Sequence, residues 1–249
     1  MDLLITLATI FITSLLIFLL TRRQRQEGKE ATLRPLPAYH KLKGQMGKAI
    51  ESGGRLHITL GQSGLHTLGS ASTIAGLSVL DNLAQEGTIS EAAPLVTVGE
   101  GTLLPAAQDS VQRGLAKANP LLPLDANLVQ FVAHESDNFT YAAGVSSIMQ
   151  QNRVIGNVMA GRFGAELALI GAAGQRQHIE QVVGTDDPVG LAVATAITDQ
   201  VLIGEEHLAA PAYVEGRPEQ IASLQTQDVL RIATAVIILG TVIYQLFTT

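Results

Sequence analysis

Two long, uninterrupted apolar runs lie near the two ends of the chain. The first, LLITLATIFITSLLIFLL at 3–20, has no charged residue, and the second, VLRIATAVIILGTVIYQLF at 229–247, has one, Arg231, near its start. A helix of 18 residues is about 27 Å long, which is close to the thickness of a bilayer's hydrocarbon core. The pattern predicts a transmembrane helix at 3–20 and a second one within a continuous helix at 218–247.

The residues that flank the first run favour a retained anchor over a cleaved signal peptide. A signal peptide has basic residues before its apolar stretch and small residues at a cleavage site after it. Here only Met1 and Asp2 precede the run, whereas Arg22, Arg23 and Arg25 follow it. For the second run the alternative is a buried core helix, which rarely continues for so long without a charge.

Between these runs, short apolar segments alternate with segments of helical periodicity. The predicted strands are 55–60, 94–98, 129–133, 154–160 and 179–183. Their consecutive Val, Ile and Leu residues are typical of strands buried on both faces of a parallel sheet. The predicted helices are 72–86, 103–118, 140–151 and 189–201. Segment 164–173 fits a helix or a strand. The alternation predicts an α/β fold with a doubly wound, Rossmann-like parallel sheet.

The same pattern sets the limits of the domain. Residues 21–48 are polar and include Pro35 and Pro37, so we expect a basic juxtamembrane linker there. Residues 49–217 are predicted to form one α/β domain of ordinary size. Pro218 suits the first turn of a helix, which runs without a breaker into the second apolar run.

Basic residues are concentrated directly after the first apolar run. Eight of the 16 Lys and Arg residues lie between positions 21 and 48, where Glu27 and Glu30 are the only acidic residues. Basic segments beside a span stay in the cytoplasm. We therefore expect a two-pass protein of the cell membrane with a cytoplasmic domain and outward-facing termini. The segment at 21–48 is either a topology signal alone or also a surface for anionic lipid.

The rest of the chain has the opposite charge. Residues 49–249 contain 8 basic and 19 acidic residues, a net charge of −11. Such a surface repels phosphate backbones, so nucleic acid is not expected as a partner. The chain has no cysteine, which excludes disulfides, thiol nucleophiles and cysteine-ligated metal sites.

Seven sequence motifs extend over roughly residues 40–245. They are GRLHITLG, ASTIAGLSVLDNLA, GTLLPAAQD, AAGV, VIGNVMAGRFGAELALIG, LIGEEHLAAPAYV and QTQDVLRI. As a set they resemble a prokaryotic family of membrane proteins that is catalogued as a domain of unknown function. The resemblance implies a membrane protein with terminal spans, and it implies no activity, substrate or catalytic residue.

Glycine follows four of the five predicted strands, at the edge where parallel α/β sheets bind ligands. The candidate ligand-binding residues are Gly61, Gly64, Gly69, Ser70, Glu100 and Asp186. Free N–H groups at the helix start near Ser70 would attract an anion. However, the loop spacing is not G-x-G-x-x-G, and no Walker lysine follows it. On one interpretation the glycines let the backbone approach a small anion or a nucleotide. On the other they allow tight turns and close packing of helix on sheet, and this second interpretation is favoured.

Other chemistry has less support. The densest groups of metal-ligating residue types, HESD at 134–137 and EEH at 205–207, lack H-E-x-x-H spacing, so no metal site is predicted. Ser63 follows a strand but lacks the second glycine of G-x-S-x-G. No catalytic residue is assigned, and no cofactor is identified.

Two functions remain open. Helix 189–201 is apolar with a single charge, Asp199, and packs either within the fold or against another subunit. One hypothesis is a scaffold or assembly module, as a homo-oligomer or as a subunit of a membrane complex. The alternative is a ligand-sensing, nucleotide-sensing or enzymatic α/β domain that uses the strand-end glycines.

Overall fold

The computed structural model describes residues 2–27, 33–67, 69–89, 92–121, 123–132 and 138–248. The chain forms two compact units, unit 1 (1–34 and 216–249) and unit 2 (35–215). The elements in chain order are α1 (Asp2–Glu27), α2 (Pro37–Ser52), β1 (Arg55–Gly61), α3 (Ser70–Ile89), β2 (Leu95–Val98), α4 (Leu103–Ala118), β3 (Val129–Phe131), α5 (Asn138–Gln151), β4 (Val154–Arg162), α6 (Leu167–Arg176), β5 (Glu180–Thr185), α7 (Pro188–Ile197), β6 (Val201–Ile203), α8 (Glu205–Leu208), α9 (Ala210–Val214) and α10 (Pro218–Thr248).

Unit 1 is a pair of long helices. By length and composition, both α1 (at Thr6–Arg25) and α10 (at Pro218–Leu246) are apolar enough to cross a membrane. The Gln24 amide donates a hydrogen bond to the Gln225 amide oxygen at 3.2 Å, and Arg25 pairs with Glu219. These contacts place the end of α1 beside the beginning of α10, so the two helices pack as an antiparallel pair.

Unit 2 is built on a six-stranded sheet in which every strand pair is parallel. The strand order is β3-β2-β1-β4-β5-β6, which is the order of a doubly wound dinucleotide-binding fold. The predicted α/β class is therefore confirmed. The chain reverses its direction of travel across the sheet between β1 and β4, and this pair of strands is the topological switch point.

The structure settles one open alternative and corrects the sequence prediction at two places. Segment 164–173 is largely helix, because α6 begins at Leu167. The predicted helix 189–201 ends early, at Ile197, and its last residue begins a sixth strand that the sequence did not indicate. Thr198 ends the helix because its backbone is extended and its hydroxyl donates to the Gln181 carbonyl at 2.8 Å.

The second correction concerns the predicted linker at 21–48, much of which is helical. Pro37 is the first residue of α2. Proline has no N–H, and this costs nothing at the first position of a helix, where an N–H has no acceptor within the helix. Leu42 and Met46 are buried one turn apart, which fixes α2 against the core. Lys41 and Lys48 both pair with Glu180, at 3.1 and 2.6 Å, so part of the basic segment serves unit 2 itself.

The strand β1 divides the core of unit 2 into two faces. Leu56, Ile58 and Leu60 point to the face covered by α3, whereas His57 and Thr59 point to the other face. The His57 ring is fully buried between Asn157 Oδ1 at 2.7 Å and Thr97 Oγ1 at 3.0 Å. Since an amide oxygen only accepts, Nδ1–H of His57 donates to Asn157. Burial lowers the pKa of His57 to about 4.

Two tyrosines link the first and last helices of unit 2. The rings of Tyr39 on α2 and Tyr213 on α9 are stacked, with centroids 4.8 Å apart and planes 7° from parallel. The Tyr39 hydroxyl also donates to the Glu206 carbonyl at 2.8 Å. This contact holds together the two ends of unit 2, where the chain leads to α1 and α10.

Candidate functional site

The candidate site lies at the carboxyl edge of the sheet, around the β1–β4 switch point. The structure places all of the sequence-predicted residues along this edge: Gly61 at the end of β1, Gly64 and Gly69 in the β1–α3 loop, Ser70 at the start of α3, Glu100 after β2 and Asp186 after β5. It brings them together as two neighbouring groups, one around Gly64 and Glu100 and one around Gly69 and Asp186.

Gly61 has the backbone geometry of a turn. Its φ is +77°, a region that residues with a side chain rarely adopt. Its carbonyl accepts a hydrogen bond from the Gly99 N–H at 2.9 Å, and a Cβ atom here would come 3.0 Å from the Arg162 carbonyl oxygen. Both the conformation and the close approach require glycine, independently of any ligand.

Gly64 makes room for the side chain of Glu100. A Cβ atom on Gly64 would lie 2.8 Å from the Glu100 carboxyl carbon. That carboxylate accepts hydrogen bonds from the Thr102 N–H, at 2.8 Å, and from the Thr102 hydroxyl. In dinucleotide-binding folds an acid after β2 binds the ribose hydroxyls. Here Glu100 lies against the loop and is held by the start of α4.

Gly69 makes room for Ser63 and Arg162. A Cβ atom on Gly69 would come 2.7 Å from Ser63 Oγ and 2.8 Å from Arg162 Cδ. The Arg162 guanidinium extends toward β5, where its nitrogens lie 3.6 Å from Asp186 and 3.4 Å from Asp187. Arg162 therefore crosses the loop and joins the switch point to the end of β5.

The start of α3 makes hydrogen bonds within its own loop. The Ser70 N–H, predicted to attract an anion, donates to the Thr67 carbonyl at 3.1 Å. The Thr73 hydroxyl contacts the Ser63 carbonyl at 2.8 Å and the Gly69 carbonyl at 3.1 Å. These bonds tie the described residues of the loop to the first turn of α3.

Two contributors to this edge were not found from the sequence. Thr102 donates hydrogen bonds to Glu100, and its hydroxyl two residues after the acid is only a weak sequence signal. His207 is fully buried, and its Nε2–H donates to the Ser72 carbonyl in the first turn of α3 at 3.0 Å. The ring lies against Gly184, where a Cβ atom would be 2.5 Å from Nδ1. Burial lowers the pKa of His207 to about 4.

The charges at this edge are mostly negative. Glu100, Asp186 and Asp187 carry carboxylates, and Arg162 is the cation that faces two of them. Within the part of the chain that the structure describes, no three His, Asp or Glu side chains are placed to hold a metal ion. The HESD segment lies outside the described residues. The arrangement is thus a packed, acidic edge with one paired cation.

A separate cleft of about 440 Å³ lies at the opposite, amino edge of the sheet. Its walls include Ile50, Arg55, Ala93 and Asp125. The glycine loop, Glu100 and Asp186 do not line this cleft, so it is not part of the site that the sequence predicts.

The fold and its edge define a Rossmann-like α/β domain in a chain with two helices that are apolar enough to span a membrane. The chain belongs to the family described as domain of unknown function DUF6754, whose sequence model matches residues 1–249. No curated protein and no solved structure matches the chain.

Proposed function

We propose that this is a two-pass protein of the cell membrane whose α/β domain faces the cytoplasm and acts as a non-catalytic scaffold or assembly module. The two long apolar helices support the anchoring. The basic residues after the first of them support the orientation. Other subunits, or further copies of this chain, are its proposed partners.

The observation that carries the proposal is that side chains of the protein itself occupy the switch-point crevice. The Glu100 carboxylate covers Gly64, and Ser63 and Arg162 cover Gly69. A phosphate-binding loop needs its glycines exposed, so that backbone N–H groups approach the ligand. Here a side chain lies against each of the two glycines, so neither presents a bare backbone to a ligand.

The charges of the edge further disfavour phosphates. A di- or triphosphate at the loop would lie near the carboxylates of Glu100 and Asp186, while Arg162 is already shared between two aspartates. The Coulomb repulsion between a phosphate and a nearby carboxylate is stronger in a partly buried site than in bulk water. Only a divalent cation bound with the nucleotide would offset it.

The first test is a calorimetric titration of the detergent-solubilised protein with ATP, GTP and NAD, each with and without Mg²⁺. We expect dissociation constants weaker than about 100 μM in every titration, which corresponds to a binding free energy of less than about 5.5 kcal/mol. A Gly64→Val variant provides the control, because it fills the loop with a side chain. Micromolar binding that this substitution abolishes would contradict the proposal.

The second candidate function is small-ligand sensing at the same edge. The strand order favours it, since a sheet of this order binds its ligands at the switch point. A neutral or singly charged ligand would meet less repulsion than a nucleotide does. Such a ligand would have to displace Glu100 from Thr102.

We also propose that anionic lipid contacts the basic segment at 21–48 and contributes to a limited extent to holding it at the membrane surface. Arg22 and Arg23 follow the first apolar run and are exposed, and each basic residue near an anionic surface contributes about 1 kcal/mol. Lys41 and Lys48 pair with Glu180. This pairing reduces the contribution that these two lysines make to lipid binding.

A further inference from the structure

The cleft at the amino edge of the sheet, here called the amino-edge cleft, has the size of a small-molecule site. Its volume is about 440 Å³, and pockets that bind small molecules measure roughly 300–1,000 Å³. Four segments of unit 2 line it: the end of α2, the start of β1, and the connections that lead from α3 to β2 and from α4 to β3. Whereas side chains fill the switch-point crevice, this cleft leaves room for a ligand.

The cleft contains a cation, Arg55, at the first position of β1. The Arg55 N–H donates to the Arg153 carbonyl at 2.8 Å, which fixes the backbone, and the residue is exposed. Among the described residues, no carboxylate pairs with the Arg55 guanidinium. A guanidinium presents parallel N–H donors that match the two oxygens of a carboxylate. Arg55 is therefore placed to bind an anionic group in the cleft.

The cleft also contains acceptors for a positively charged group. Asp125 Oδ1 accepts hydrogen bonds from the backbone N–H and the side-chain amide of Asn127, both at 2.9 Å, whereas Oδ2 accepts none from any described residue. The helix α2 ends at the cleft, with Gly53 in the left-handed conformation and no basic residue in its last turn. The carbonyl end of a helix carries a partial negative charge. Both features favour a cation.

The wall between these charges is apolar. Ala49 and Leu128 are buried, whereas Ile50, in the last turn of α2, is 39% exposed. An apolar group that covered Ile50 would remove its side chain from water, which is favourable. The amino-edge cleft thus combines a cation, a carboxylate oxygen and an apolar wall.

We infer that the amino-edge cleft binds a small zwitterion with an apolar body, an apolar α-amino acid or a short apolar peptide. The ligand's carboxylate contacts Arg55, its ammonium group contacts Asp125 Oδ2 and the end of α2, and its apolar side chain covers Ile50. Asp125 repels a ligand that carries only negative charge, and Arg55 repels one that carries only positive charge, so the two residues together select a molecule with both. This site lies away from the switch point and does not depend on the scaffold function.

The test is calorimetric titration of the full-length protein, in a non-ionic detergent, with leucine, Leu-Leu and Leu-Leu-Leu. We expect at least one of them to bind with a dissociation constant below about 1 mM. N-acetylation of that ligand removes its ammonium group, and amidation removes its carboxylate. Each change should weaken binding at least about tenfold, the effect of losing a hydrogen-bonded charge. The length of the tightest ligand distinguishes an amino acid from a peptide.

Matched variants locate the binding on the protein. Arg55→Gln and Asp125→Asn should each weaken the tightest ligand at least about tenfold. Asparagine keeps the Oδ1 acceptor of the turn at 125–127, so thermal melting should show a folded protein. The controls are Arg176→Gln and Asp199→Asn, which remove the same charges at exposed positions outside the cleft. Each control should change the affinity less than about twofold.

Three results would overturn the inference: no binding of any of the three zwitterions, equal binding of the free and the capped ligands, or equal effects of Arg55→Gln and Arg176→Gln. The zwitterion titration reports on the amino-edge cleft and the nucleotide titration on the switch point. Failure of the first with weak nucleotide binding therefore rejects this site alone. Tight nucleotide binding with zwitterion binding rejects the proposed scaffold function and leaves this site in place.

Discussion

Replacing Gly76 with alanine is expected to lower the free energy of unfolding of unit 2 by about 3 kcal/mol, the upper part of the range for overpacked cores. Gly76 lies on α3 where that helix crosses β4. A Cβ atom at this position would come less than 3.0 Å from the backbone oxygen of Ala160. Because a strand backbone in the middle of a sheet cannot move aside, the whole helix must shift away from the switch point.

The matched control is Gly44→Ala on α2. No atom lies within 4 Å of a Cβ built on Gly44, so alanine there should add about 0.5–1 kcal/mol of stability through helix propensity. Chemical or thermal unfolding of the two variants measures the difference. A Gly76→Ala protein as stable as the Gly44→Ala protein would show that α3 does not pack on β4 as closely as described.

Acidification from pH 6.5 to pH 4 is expected to destabilise unit 2 by about 3 kcal/mol for each of two histidines that are buried among the described residues, His57 and His207. Burial lowers the pKa of both to about 4, against about 6.5 in an unfolded chain. Between these values the unfolded chain binds protons that the folded protein does not, so stability falls as pH falls. The loss begins near pH 6.5 and is nearly complete near pH 4.

Unfolding measured at several pH values, for the wild type and for His57→Gln and His207→Gln, tests this expectation. Each substitution should remove the part of the pH-dependent loss that its own histidine contributes, although each also lowers stability at pH 7 by disrupting a buried hydrogen bond. The slope with pH, rather than the stability at any one pH, is therefore the quantity to compare. An unchanged slope in both variants would contradict the assigned protonation states.

Much of the fold follows from the sequence pattern because its strands are buried on both faces. The segments of β1 and β4 are short and rich in Leu, Ile, Val and Met, and their positions were predicted within one or two residues. The short edge strand β6 was missed because its first residue, Val201, was assigned to the end of the apolar helix 189–201. The helix α2 was missed because polar residues and glycines are interspersed among its buried residues, as Lys43, Gly44 and Gln45 are between Leu42 and Met46.

The candidate site was predictable in place but not in detail. Parallel strands bring their carboxyl ends to one edge, so the glycines and acidic residues that follow them must lie near one another. No local pattern shows that Glu100 turns onto Gly64 or that Arg162 lies across Gly69, because these contacts join residues distant in sequence. Whether a glycine loop is open or filled is decided by the side chains that surround it.

The central claim, a cytoplasmic α/β domain anchored by two spans, is tested most directly by cysteine labelling, since the chain has no cysteine of its own. Single cysteines are placed at Leu121, which is 90% exposed in unit 2, and at Thr249 after the second apolar helix. A membrane-impermeant maleimide is then applied to intact cells. The account predicts labelling of Thr249→Cys in intact cells and of Leu121→Cys only after permeabilisation. Labelling of Leu121→Cys in intact cells, with Thr249→Cys protected, would contradict it.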